Sequence, residues 1–178
     1  MDAGRQIEQW FYEYEIDILN YLIYYTGMRD VEDLVQDTFL RAFNAFHSYR
    51  SDANPRTWLI SIARNTAIDH FRKKSLWEKV KRTLIADQNE NESTLTDQLL
   101  LMEEEYAYLY QSISSLKQSY KEVVLLKGIA ELSSEETANV LGWSVNKVNV
   151  TFHRAVKKLN LIMKEEGSNG TLDEQRSS

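Results

Sequence analysis

The chain contains no cysteine, a single proline (Pro55) and only six glycines among its 178 residues. The absence of cysteine excludes a disulfide framework and any metal site built on thiolates. Because proline and glycine are scarce and long alternation of β-branched residues is missing, the sequence has few breaks and no strand pattern. We therefore predict an all-α fold.

Long apolar runs are also absent. No stretch approaches the roughly 20 apolar residues that cross a membrane, and the start, MDAGRQIEQWF, lacks the basic region and apolar run of a signal peptide. The three histidines lie in separate segments, and no Ser-His-Asp set, phosphate loop or HExxH motif occurs. We expect a cytoplasmic, non-enzymatic protein with no cofactor, no bound metal and no small-molecule substrate.

The net charge of −6 is unevenly distributed along the chain. Residues 75–105 hold three basic and eight acidic side chains, whereas residues 106–164 hold eight basic and four acidic ones. Residues 55–74 form a second basic patch, with five Lys or Arg and one Asp. Two basic sites joined by an acidic connector suggest two contacts along one nucleic-acid duplex.

Residues 132–159, LSSEETANVLGWSVNKVNVTFHRAVKKL, have the pattern of a helix-turn-helix. Ser133 or Ser134 can cap a first helix, Gly142 can end it, and a second helix can begin near Val145. Its core-facing residues recur at helical spacing: Val148, Phe152, Ala155 and Leu159. Polar and cationic groups that suit base edges and phosphates mark the other side, and we expect these to face DNA: Ser144, Asn146, Lys147, Val150, Arg154 and Lys157. The alternative is a plain helical hairpin with a solvated basic face.

Three helices are predicted in the first half, over residues 7–25, 31–46 and 55–74, with a loop over residues 47–57. In the second helix the apolar face comprises Leu34, Val35, Thr38, Phe39, Ala42, Phe43 and Phe46. In the third helix it comprises Leu59, Ile60, Ala63, Ala67 and Phe71. These faces predict a small helical bundle.

The third helix also has a polar side, which makes it a second candidate for nucleic-acid contact. The residues we assign to it, together with the helix end, are Trp58, Ser61, Asn65, Asp69, Arg72, Lys73 and Lys74. Asn, Asp and Arg can pair with bases, Lys near a helix end can bind phosphate, and Trp58 can stack on an unpaired base. The alternative is that Asp69 and Arg72 form a surface ion pair and Trp58 belongs to the core.

Three stretches together resemble bacterial RNA polymerase sigma factors of the extracytoplasmic-function (ECF) group in the sigma-70 family. They are EDLVQDTFLRAFNAFHSY (32–49), PRTWLISIARNTAIDHFRKK (55–74) and residues 115–159. The resemblance implies a sigma-two domain over residues 1–76, a linker over 77–102, a sigma-four helix-turn-helix domain over 103–164 and a disordered tail over 165–178. The resemblance thus implies two small helical domains joined by a flexible acidic linker.

The resemblance also implies roles and partners. Residues 32–49 would dock on core RNA polymerase at its clamp, and the candidate contacts are Asp33, Gln36, Asp37 and Arg41. The third helix would read and open the minus-ten element of promoter DNA, with the loop 47–57 holding a flipped base. The sigma-four domain would meet the polymerase flap and read the minus-thirty-five element. Such factors are usually restrained by an anti-sigma factor, often membrane-bound.

Two departures and two rival interpretations accompany the resemblance. The recognition helix reads NKVNVTFHRA, whereas many relatives carry more basic residues near Asn149 and Thr151, so the sequence of the minus-thirty-five element stays open. Where housekeeping sigma factors have paired tryptophans this chain has Trp58-Leu59, which predicts weaker melting and stricter promoter choice. A helix-turn-helix repressor or activator would bind DNA without polymerase, as a dimer on a palindrome, but it needs no helix like residues 32–49. An interaction protein that sequesters a partner is the second rival.

Overall fold

The computed structural model describes residues 2–84 and 104–174. The chain divides into two compact units, Met1–Glu103 and Glu104–Ser178. Throughout the described ranges the regular structure is helical, without a β-strand, which confirms the predicted all-α fold of two domains. None of the helices in those ranges combines the length and apolar character needed to cross a membrane.

The first unit contains three long helices: α1 (Ala3–Thr26), α2 (Glu32–Ala45) and α3 (Pro55–Leu84). The side chain of Asp2 caps α1 by accepting a hydrogen bond from the Gly4 amide at 3.1 Å. Gly27 ends α1 in the left-handed conformation, with φ of 71°, and its amide donates to the Ile23 carbonyl. Glycine fits this position because its missing Cβ removes the steric penalty of positive φ.

The three helices pack against one another around a shared core. Its fully or nearly fully buried members include Ile18, Tyr21, Leu22, Val35, Phe39, Ala42, Leu59, Ile60, Ala63 and Ala67. These positions confirm the helical faces predicted for α2 and α3. Phe43 is an exception, because its side chain is 48% exposed. It follows the fully buried Ala42, and one residue further along a helix turns by about 100° away from the core.

The third helix is longer than the sequence predicted. It continues ten residues beyond Lys74 to Leu84, and its side chains over residues 72–83 are exposed. The added segment has no glycine or proline, and extending an existing helix is far easier than starting one. Lys73 and Lys74 are therefore interior helix residues and gain nothing from the helix dipole. The first part of the predicted linker, residues 77–84, is helical, and residues 85–103 lie outside the described ranges.

The second unit comprises α4 (Glu104–Ser114), α5 (Gln118–Val124), a π-helical turn (Leu125–Ile129), α6 (Ser134–Leu141) and α7 (Val145–Glu174). Here α5 packs on α7, and α6 also packs on α7. The buried core includes Val123, Leu125, Leu126, Val148 and Ala155. Helix α7 continues to Glu174, where the sequence predicted a disordered tail from residue 165. The four residues 175–178 lie outside the described ranges.

Local sequence signals determine where the first helix of the helix-turn-helix begins and ends. Ser133, rather than Ser134, caps α6: its hydroxyl accepts from the Glu136 amide at 3.1 Å, and its own amide donates to the Glu136 carboxylate at 2.8 Å. This reciprocal pair is a capping box. Gly142 ends α6 with φ of 65°. The predicted turn between the two helices is confirmed.

Candidate nucleic-acid interface

Helix α7 presents the predicted polar face to solvent. Val148 and Ala155 are fully buried, and Phe152 and Leu159 are partly buried behind it. The opposite side chains are all exposed: Asn146, Lys147, Val150, Arg154 and Lys157. The structure therefore brings these five predicted residues onto one surface, which we call the α7 face. It joins amide, cationic and small apolar groups, a combination that suits phosphates and major-groove base edges.

Ser144 and Lys147 have additional contacts at the start of α7. The Ser144 hydroxyl accepts a hydrogen bond from the Lys147 amide at 3.2 Å, so this predicted DNA contact also caps the helix. The Lys147 ammonium lies 4.0 Å above the centre of the Trp143 ring. This cation–π contact limits the positions that the flexible lysine takes up beside the α7 face.

Sequence reasoning missed Asn149, which is exposed on α7 between the predicted residues. Its side-chain oxygen Oδ1 accepts a hydrogen bond from the Ser134 hydroxyl at 2.6 Å, and Ser134 in turn accepts from the Lys127 ammonium at 2.8 Å. The three residues come from the π-helical turn, α6 and α7. An amide on the polar side of a recognition helix was the one available signal, because the contacts join residues distant in sequence.

The predicted contact residues of α3 differ in their exposure to solvent. Asn65, Arg72, Lys73 and Lys74 are exposed, whereas Asp69 is partly buried. Asp69 accepts from Arg41 of α2 at 2.7 Å and also from Arg72. The Arg41 guanidinium, followed by Arg72, holds the pKa of Asp69 below its ordinary value, so this carboxylate is an ionised acceptor at neutral pH.

Arg41 connects the two predicted sites. It also pairs with Asp37 at 3.1 Å, so Asp37, Arg41, Asp69 and Arg72 form a continuous chain of ion pairs from α2 to α3. Hydrogen bonds from Arg41 to the two carboxylates raise its pKa. The sequence assigned Arg41 and Asp69 to different macromolecular partners, but the structure pairs them with each other. Their geometry fixes α2 against α3.

Trp58 lies in an aromatic cluster and not on an open face. Its ring centre is 5.0 Å from that of Tyr49 and 6.1 Å from that of Trp10, and Phe46 also contacts Trp10 and Tyr49. These four residues are the aromatic cluster. They anchor the loop after α2, and Trp58 remains only partly buried. Ser61, another predicted contact, donates its hydroxyl to the Trp58 carbonyl at 2.6 Å.

Helix α2 carries an exposed face of mixed character. Asp33 and Gln36 are exposed as predicted, and Asp37 is partly buried by its ion pair. Leu40 and Phe43 lie on this outer side, with 59% and 48% of their surface exposed. Sequence analysis missed Leu40 and placed Phe43 in the core. We call Asp33, Gln36, Leu40 and Phe43 the α2 face; apolar groups beside polar ones are typical of a protein-binding surface.

No group of three or more His, Asp or Glu side chains in the described ranges is arranged to hold a metal ion. The surfaces on α2, α3 and α7 offer hydrogen bonding, ion pairing and apolar contact. All three are suited to binding macromolecules.

Comparisons with known proteins agree with this arrangement. Residues 11–76 match the family model "Sigma-70 region 2", and residues 106–159 match "Sigma-70, region 4". The chain is 35% identical over 164 residues to RNA polymerase sigma factor YlaC of Bacillus subtilis, covering 92% of this chain and 95% of that protein. It is 31% identical over 154 residues to ECF RNA polymerase sigma factor SigX of the same organism, covering 84% and 79%.

Solved structures show the same fold. The structure of CnrH in complex with the cytosolic domain of CnrY has a TM-score of 0.68 at 25% identity, covering 91% of this chain and 90% of that one. The sigma factor RpoE from Bartonella quintana, in complex with the anti-sigma factor NepR, has a TM-score of 0.70 at 21% identity, covering 90% and 98%. The family matches, the relatives and the two helical units together show that this chain belongs to the ECF group of sigma-70 family RNA polymerase sigma factors, which are non-enzymatic initiation factors.

Proposed function

We propose that the two units of this sigma factor read separate promoter elements. The second unit reads the minus-thirty-five element through the α7 face, and the first unit reads and opens the minus-ten element through α3. The observation that carries this proposal is the α7 face itself: its exposed amide and cationic groups stand directly opposite buried Val148 and Ala155. Packing behind the helix leaves that face free to enter a major groove.

For the first unit we propose that Asn65 and Arg72 contact bases and that Lys73 and Lys74 contact phosphates. Asp69 and Arg41 then act as positioning residues, because their ion pair holds α3 on α2 and Asp69 also holds Arg72. The loop after α2 and the partly buried Trp58 would receive an unstacked base. Stacking of such a base on an aromatic group offsets part of the cost of melting.

Docking on core RNA polymerase is proposed for the α2 face. Leu40 and Phe43 would supply apolar contact area, and Asp33 and Gln36 would supply polar contacts around it. This modifies the sequence prediction, since Arg41 is already engaged with Asp69. Contact of the second unit with the polymerase flap completes the proposed assembly, and meeting polymerase places the protein in the cytoplasm.

An anti-sigma factor is the proposed regulator. The two similar solved structures are complexes of CnrH with a cytosolic domain of CnrY and of RpoE with the anti-sigma factor NepR. The exposed apolar residues of the α2 face support a comparable partner here, because a protein that covers them would block docking on polymerase. A membrane-bound partner of this kind would present its cytosolic part to the chain.

The test is promoter-directed transcription with purified chain, bacterial core RNA polymerase and a genomic DNA library. We expect transcripts that depend on the chain and share two upstream elements. Asn65→Ala should lower transcription while leaving core binding intact, and Asp33→Arg, on the α2 face, should lower core binding. A chain that binds DNA at discrete sites but never binds core polymerase would favour the repressor interpretation instead.

A further inference from the structure

Three residues of the second unit form a hydrogen-bonded relay that ends on the α7 face. The Lys127 ammonium donates to the Ser134 hydroxyl at 2.8 Å, and that hydroxyl donates to Oδ1 of Asn149 at 2.6 Å. The lysine is itself placed by Phe152, since its ammonium lies 5.4 Å from the centre of that ring. We refer to Lys127, Ser134 and Asn149 as the relay.

The two hydrogen bonds of the relay run in one direction, from Lys127 through Ser134 to Asn149. An ammonium group can only donate, so the Ser134 oxygen is the acceptor in the first bond. In the second bond the Ser134 hydroxyl donates its single proton to Oδ1 of Asn149. The atom that receives it must be the oxygen of the Asn149 amide, because the amide nitrogen is a donor. With Oδ1 bonded to Ser134, the Nδ2 end of the amide is turned away from the relay.

The helix cap leaves Ser134 available for this task. Ser133 already satisfies the first turn of α6 through its capping box with Glu136. The hydroxyl of the next residue is therefore free to bridge Lys127 and Asn149. Two adjacent serines consequently have different functions, one in helix stability and the other in side-chain orientation.

The amide nitrogen of Asn149 is left as the outward group. Asn149 is exposed, and among the described residues its Nδ2 has no hydrogen-bond partner. It lies in the first turns of α7, three residues after Asn146, in the part of a recognition helix that meets base edges. Adenine is normally read by an asparagine that offers both an acceptor and a donor. Here Oδ1 is held on the relay side by its bond from Ser134, and the two N–H donors of Nδ2 are the groups that remain for a base.

We propose that Asn149 is a specificity-determining residue, and that Lys127 and Ser134 position its amide so that it donates to guanine (O6 or N7) or to thymine (O4) at one base pair of the upstream element. This proposal rests on the proposed function of the α7 face. It names the chemistry of one base contact: a hydrogen-bond acceptor is selected, and a base that presents an amino group at that position is disfavoured.

The test uses the complete chain with core RNA polymerase on a promoter whose upstream element is randomised, with transcript yields counted by sequencing. For the wild-type chain we expect one position where guanine or thymine is favoured roughly tenfold. Asn149→Ala should abolish that preference at that position alone. Ser134→Ala and Lys127→Met should weaken it while leaving Asn149 in place, since the amide can then rotate and accept from adenine.

Asn149→Asp is the most discriminating variant in this experiment. Aspartate still accepts the Ser134 proton but presents a second oxygen outward, so the preference should move to cytosine or adenine, whose amino groups donate. Preferences are normalised within each variant, because the added negative charge lowers overall affinity for DNA. Asn160→Ala, an exposed substitution of the same type on the same helix, serves as the matched control and should keep the wild-type pattern.

Two results would overturn the proposal: an unchanged pattern for Asn149→Ala, or a wild-type pattern for both Ser134→Ala and Lys127→Met. Thermal unfolding of each variant separates loss of fold from loss of preference. Failure of the wild-type chain to direct any transcription is a different outcome, which refutes the proposed function of the α7 face and not the relay alone.

Discussion

Replacing Gly142 by alanine isolates the backbone requirement of the helix-turn-helix. Gly142 has φ of 65°, and a Cβ added there would meet nothing within 4 Å. The strain is therefore conformational and not steric crowding by neighbours. A left-handed conformation costs an L-residue about 1–2 kcal/mol. Reduced freedom of the unfolded chain returns about 0.4–1 kcal/mol. We expect Gly142→Ala to lower the stability of the second unit by about 1 kcal/mol.

Gly128 offers a matched control in the same unit. It lies in the π-helical turn without positive φ, and an added Cβ would be 3.9 Å from Cγ1 of Val124, an ordinary van der Waals contact. Alanine is favoured over glycine by roughly 0.5–1 kcal/mol in helices. Gly128→Ala should therefore leave the second unit unchanged or stabilise it by up to about 1 kcal/mol.

Hydrogen exchange on the full chain measures both variants, since peptides from α6 and α7 report on the second unit separately. A loss of about 1 kcal/mol accelerates exchange through global opening of that unit roughly fivefold. For Gly142→Ala the midpoint temperature of thermal unfolding should fall by about 4–8 °C, the shift expected for a unit of this size. Equal losses for Gly142→Ala and Gly128→Ala, or no loss for Gly142→Ala, would refute the argument from backbone conformation.

Other predictions concern the α2 face, the α7 face and one tyrosine. Leu40→Asp should weaken core polymerase binding about tenfold or more, whereas Ile16→Asp, at a comparably exposed apolar position on α1, should not; equal effects would remove Leu40 from the docking surface. Arg154→Ala should weaken promoter binding by the holoenzyme and reduce the slope of log affinity against log salt by about one, and an unaltered slope would exclude a phosphate contact. Burial, followed by a hydrogen bond with Glu13, raises the pKa of Tyr14 to about 12. Because the folded form holds the Tyr14 proton more tightly, the contribution of this proton to folding stability is present below pH 10 and is lost as pH rises from about 10 to about 12. Denaturant titrations over this pH range should show a smaller loss of unfolding free energy for Tyr14→Phe than for the wild-type chain.

Several features of the chain could be read from the sequence because their causes are local. Helical periodicity placed Leu59, Ile60, Ala63 and Ala67 on one buried side of α3, and the structure agrees. Gly142 and the serines before α6 marked the helix-turn-helix, since positive φ and capping depend on a few neighbouring residues. The order of the motifs identified the ECF sigma group, as the family matches together with the similar sigma factors confirm.

Where the sequence misled, competing local signals were close in strength. Phe43 is apolar and stands beside the core face, so composition favoured burial, yet helix geometry turns it outward. The end of α3 was placed at Lys74, although the residues that follow include no glycine or proline and the helix continues to Leu84. No glycine or proline near Lys74 marks the end of a helix.

The sequence by itself determined the helical fold, the two units and the polar face of α7, because periodicity, caps and charge act over one or two turns. Only the tertiary structure decided which side chains pair. Arg41 meets Asp69 across 28 residues, and Ser134 meets Asn149 across 15. Such bonds depend on how helices cross and on which rotamers their packing permits, and neither is encoded in the spacing along a single helix.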